Sequence, residues 1–236
     1  MAPRMGGGPD ILTVMLNFLI PAALAAPPDL SGNWEIVLTV VTSAKIPVFG
    51  DTEISTKTTL IANIDGLVQQ HSTCRVEPTS PLRVVTTTIP DDFVRLIPVK
   101  TYPITLTEDG GYRVDFGPQY IAYDPNLSGG LPPSEADHPA VTDWEGDGQP
   151  GATIHLDAPV FGRSEVYITQ LAHTRLAGRI TGPDAISGGV EVLAMQQRSI
   201  GAKPSMFAAN PEVTAVPEAS GFTMRRLPAG ATCADL

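Results

Sequence analysis

The chain reads as all-β: an antiparallel barrel of about 8 to 10 strands with one short helix and one long loop at about residues 117–151. Three observations predict this class. Gly and Pro number 22 and 23 among 236 residues, too turn-rich for a helical bundle and without the triplet period of collagen. β-Branched, alternating segments recur along the chain. Turn signals separate them at the roughly 8 to 12 residue spacing of barrels and sandwiches. A hydrophobic share of 42% provides for a packed core and argues against disorder. The formal charge of −10, with no basic stripe, offers nothing to a phosphate backbone, so no nucleic-acid partner is expected.

Taken in order, Ile11 to Ile20 is an apolar run behind a head that carries Arg4, and Ala23-Leu24-Ala25 supplies small residues for a signal-peptidase cut. Residues 1–25 are therefore expected to be a signal peptide and 26–236 a single β-barrel domain. The run is shorter than the roughly 20 residues that span a bilayer, so no transmembrane segment is expected after cleavage. The expected address is secreted or periplasmic. In such an oxidising compartment Cys74 and Cys233, the two cysteines of the chain, are expected to pair. There is no CxxC or Cys/His cluster to suggest zinc or a redox dithiol.

Strands are expected at Asn33 to Ser43 and at Asp51 to Ile64, where Ile54, Leu60, Ala62 and Ile64 share a face with Thr56 and Thr58. Asp65-Gly66 then makes a hairpin into Leu67 to Glu77. A strand at Leu82 to Thr88 precedes a two-turn helix at Pro90 to Ile97, whose start has Pro and two Asp and whose stop is Pro98. Tyr102 to Thr107 and Tyr112 to Phe116 flank another turn. The Pro, Gly, Asp and Ser-rich stretch that follows is the long loop, and loops of that length usually carry function. Strands resume at Ala152 to Ala158, Ser164 to Leu171, Arg175 to Thr181, Gly189 to Gln196 and Gly221 to Leu227. Pro47-Val48-Phe49-Gly50 recurs as Pro159-Val160-Phe161-Gly162, a short match compatible with two related halves or with chance.

Gly32-Asn33-Trp34, opening the first strand, resembles the GxW signature of lipocalins and the wider calycin group. The resemblance implies an up-and-down barrel with Trp34 plugging one end, stacked on an Arg of the last strand, for which Arg225 and Arg226 are placed. It also implies that a Cys74 to Cys233 bridge ties the tail to the barrel. Without the family, a Trp at a strand start is expected in the core with its N–H bonded to backbone.

Asp143-Trp144-Glu145-Gly146-Asp147-Gly148-Gln149 resembles the D-x-D-x-D-G loops of calcium modules, and the EGDGxPG pattern resembles a loop of uncharacterised secreted bacterial proteins. Asp143, Glu145 and Asp147 would direct carboxylates inward and Gln149 would add a carbonyl, a set of hard oxygens suited to calcium. Ile154 stands where an EF-hand has its bidentate Glu, so a further ligand would come from elsewhere, for example Asp137. The alternative is a plain Asp/Gly turn.

No G-x-S-x-G, H-E-x-x-H or phosphate-binding G-x-x-x-x-G-K occurs, and no catalytic residue is assigned. His155 and Asp157 share a strand face, read as solvent-facing because Ile154 and Leu156 make the apolar side. His71 and Gln69 are read as solvent-facing in the same way. Tyr112, Tyr120, Tyr123 and Trp144 are read either as a ligand rim or as pins for the long loop. The expected function is binding of a small apolar or amphipathic molecule by a monomeric, lipocalin-like barrel. The alternatives are an enzyme on the same scaffold (a cyclase, isomerase or hydrolase), an outer-membrane barrel, and a calcium-stiffened structural or adhesion module.

Overall fold

The computed structural model describes residues 28–46, 50–81, 85–159, 162–211 and 213–236. The expected signal peptide lies outside the described residues, as do 47–49 and 160–161 of the repeated tetrapeptides and 82–84 of an expected strand. The strands are β1 (Gly32–Ile46), β2 (Gly50–Asp65), β3 (Val68–Thr79), β4 (Thr86–Thr88), β5 (Lys100–Leu106), β6 (Gly111–Ile121), β7 (Ala152–Ala158), β8 (Gly162–Gly182), β9 (Ala185–Lys203), β10 (Val213–Ala215) and β11 (Gly221–Arg226). Helix α1 (Asp91–Arg95) stands where a helix was expected. A second helical turn, α2 (Pro125–Ser128), was not expected; Asp124 caps it through the Asn126 N–H, and Gly129 closes it in the left-handed region.

Eight strands hydrogen-bond in a closed, wholly antiparallel ring: β1-β2-β3-β5-β6-β8-β9-β11 and back to β1. With β4, β7 and β10 set aside, that order is the order along the chain. Each ring strand therefore pairs with its neighbours in sequence, the arrangement that short hairpin turns favour.

The three short strands continue the wall beyond one end of the ring. β8 pairs with β6 through residues 170–179 and with β7 through 162–168, so β6 and β7 lie end to end along it, and β4 pairs with the other edge of β7. Likewise β1 pairs with β11 through residues 34–39 and with β10 through 42–44. The long strands β1, β2, β3, β8 and β9 thus pass through two storeys, one closed by β5, β6 and β11, the other assembled from β4, β7, β10 and α1.

The first storey is packed solid. Trp34, Ile36, Ile64, Tyr112, Val114, Leu176 and Ile186 fill it, each almost wholly buried. Strands draw together there because Gly178 and Gly188 face each other across β8 and β9; a Cβ on Gly178 would lie 2.8 Å from Phe222 Cζ. Trp34 closes the end: its indole N–H donates to the Leu30 carbonyl at 2.8 Å, and the Arg226 guanidinium lies 4.4 Å from its ring centroid. Arg226 also donates to the carbonyls of Asp29, Ser31 and Pro183 and pairs with Asp184, fastening the approach to β1 and the β8–β9 hairpin to this end.

Differences from the sequence expectation have local causes. β8 is one strand where two were expected, because a bulge at His173/Thr174 shifts register without ending the ladder. β6 runs on to Ile121, so the long loop begins later than expected. Cys74 is the extra residue of a bulge in β3, where Leu60 pairs with Thr73 but Thr59 with Arg75. Cys74 and Cys233 stand at disulfide distance, with Cα atoms 5.2 Å apart.

Candidate functional site

The second storey is hollow. Alternate residues of β1 (Leu38, Val40, Thr42) and β2 (Ile54, Thr56, Thr58) point into a cavity of about 370 Å³. This is the face of β2 that the sequence alternation assigns to the interior. The opposite wall comes from Ile154 and Leu156 on β7 and Ile168, Gln170, Ala172 and Thr174 on β8. Phe93 and Ile97, four apart and so on one face of α1 and its exit turn, close the side between β3 and β7. That spacing was the available signal that α1 covers something.

His71 corrects the sequence reading. It is buried, lines the cavity and sits with Phe116 at the boundary with the packed storey; Gln69 is fully buried beneath it. The solvent-facing assignment rested on the polarity of Gln69 and His71, yet in this strand the polar pair faces inward while Leu67 and Val68 are exposed beside the hairpin. Burial of two polar side chains is sustained by mutual bonding: the Tyr112 hydroxyl donates to Gln69 Oε1, and Gln69 Nε2 lies 3.4 Å from His71 Nδ1. The imidazole stacks against Tyr102 at 4.9 Å and edge-on to Phe116 at 4.7 Å. Burial lowers the His71 pKa to about 4, and the charge of Lys100, its cross-strand partner, acts in the same direction.

His155 and Asp157 lie on the face of β7 opposite Ile154 and Leu156, away from the cavity, and Asp157 pairs with Arg163. On the outer face of the ring Asp115 binds His173 at 2.6 Å and Arg175 at 2.8 Å. The Gly117 N–H, then His173 and Arg175, hold the Asp115 carboxyl far below the usual carboxylate range.

The aromatic side chains of the long loop pin it in place. Trp144 donates to the Phe93 carbonyl at 3.2 Å, tying the loop to α1; the Tyr123 hydroxyl donates to Gly130, and Thr169 of β8 donates to Pro133 at 2.7 Å. Tyr112 belongs to the packed storey.

The acidic loop satisfies itself. Asp143 accepts the N–H groups of Gly146, Asp147 and Gly148; Asp147 accepts Gln149 N–H and the Thr153 hydroxyl; both Glu145 oxygens accept Thr153 N–H. Burial, followed by the neighbouring Asp147 and Asp143 charges, raises the Glu145 pKa against the lowering effect of its backbone bonds. Among the described residues no group of three or more His, Cys, Asp or Glu side chains gathers as a metal site. No helix among the described residues is long and apolar enough to cross a membrane. Compared with protein-family models, with curated proteins and with solved structures, the chain gives no match.

Proposed function

We propose that this chain binds a small apolar or amphipathic molecule in the second-storey cavity, as an exported, lipocalin-like carrier. The observation that carries the reading is the cavity itself: about 370 Å³, within the range of small-molecule sites, set beyond the packed storey and walled mainly by aliphatic side chains. His71 is the only ionisable side chain among the described lining residues, which favours a carrier over an enzyme needing a converging acid and base. The GxW motif with its stacked Arg226, and a cysteine pair suited to an oxidising compartment, support the family likeness and the address.

Native mass spectrometry of protein purified from its own source tests this. The expected spectrum shows the chain with the added mass of one small molecule, which organic extraction removes. A bare chain that also takes up no apolar probe would end the carrier reading.

Calcium binding at Asp143, Glu145, Asp147 and Gln149 is a separate proposal, supported by the spacing of the acids. It requires a higher melting temperature in millimolar calcium than in chelator. Equal temperatures would leave these side chains as hydrogen-bond acceptors for their own loop.

A further inference from the structure

The described lining of the cavity contains hydroxyls, amides and one imidazole, but no Asp, Glu, Lys or Arg. An ionised group carried in among Leu38, Ile54, Ile121 and Ile168 would lose its water and meet no opposite charge on these walls. The walls therefore select against charge.

The floor selects for a hydrogen-bond acceptor. Because Tyr112 donates to Gln69 Oε1, the amide nitrogen of Gln69 is the atom turned to His71 Nδ1. An amide N–H donates, so Nδ1 accepts, and a neutral imidazole then keeps its proton on Nε2. Tyr102 and Phe116 hold the ring in place. Among the described residues no acceptor is bonded to Nε2, so His71 presents a ring-fixed N–H donor at the cavity floor, below walls in which aliphatic side chains are interspersed with threonine hydroxyls and glutamine amides.

We propose that the bound molecule is uncharged and amphipathic, a ketone, ester or alcohol on a hydrocarbon body, with its oxygen at the floor against His71 Nε2–H and its hydrocarbon toward β4, β7 and β10. This rests on the carrier reading above and narrows it to a ligand class. The cation paired across from His71 is Lys100 on β5; its side chain is not part of the described lining, so it gives a carboxylate no partner inside.

The test is competition against bound N-phenyl-naphthylamine, a neutral fluorescent probe, by decanone, decanol and decanoate at mildly alkaline pH. Decanone and decanol are expected to displace the probe, and decanoate to be roughly a hundredfold weaker. His71→Leu is expected to weaken decanone about fivefold while the probe still binds. Decanoate competing as well as decanone, and losing that ability in Lys100→Gln, would overturn the assignment in favour of an anionic ligand. Decanone binding unchanged in a folded His71→Leu would overturn the role of the floor; should that variant not fold, the decanoate comparison on the natural chain decides. If neither the probe nor any competitor binds, the carrier reading itself fails.

Discussion

Replacing Trp34 with alanine is expected to destabilise the fold by about 3–5 kcal/mol, read from the urea midpoint at unchanged slope. The side chain is wholly buried at the closed end of the ring, where β1 meets both β2 and β11. Its removal opens a void that the closed ring is poorly able to collapse, since the flanking strands are tied by ladders on both edges. It also frees the Leu30 carbonyl and takes the ring from under Arg226. That guanidinium holds the carbonyls of Asp29, Ser31 and Pro183, so the same change loosens the approach to β1 and the β8–β9 hairpin together. For a domain of ordinary stability this is a large share of the total. A loss under about 1 kcal/mol would show that the closed end is not held by this side chain.

Acid is expected to weaken the fold through His71. In the unfolded chain the imidazole takes a proton near its ordinary 6.5, in the folded chain only near about 4. Between those values the unfolded state binds more protons, so stability falls as the pH drops below about 6.5 and stops falling near about 4. The whole step is worth ~3 kcal/mol, since the ring is almost fully buried and water screens it little. Asp115 acts in a lower window: its depressed carboxyl contributes stability that is lost only as the pH falls below the ordinary carboxylate range. Chemical unfolding followed across this range should therefore show a step centred between the two His71 values. His71→Leu should flatten it, and an equal step in that variant would assign the acid sensitivity to other groups.

What was legible in the sequence follows from how each signal arises. Alternation along β2 shows which side chains face inward because strand geometry leaves two faces and apolar residues choose one. Trp34 was placed correctly because a large indole at a strand start is costly to expose, and the Cys74 and Cys233 pairing follows from there being two cysteines. β3 was misread because Gln69 and His71 look polar one at a time; their burial depends on Tyr112, far along the chain, supplying the missing partner. Parity along β3 also changes at the Cys74 bulge, which no composition signal announces. The short strands β4, β7 and β10 were hard to assign as a second storey because what defines β7 and β10 is end-to-end placement beside β6 and β11, and β4 joins only through its pairing with β7. The acidic loop was read for its carboxylates, whereas the backbone N–H groups that take them up belong to every residue and leave no mark on the sequence.

The hollow second storey is most directly tested by filling it. Ala172 of β8 projects into the cavity from a wall strand, so Ala172→Phe should occupy the space without breaking a ladder. Fluorescence titration with N-phenyl-naphthylamine is predicted to give saturable binding of one probe by the natural chain and at least about tenfold weaker binding by Ala172→Phe, with thermal unfolding little changed. Binding that does not saturate, or that is equal in both proteins, would contradict a ligand chamber in the second storey.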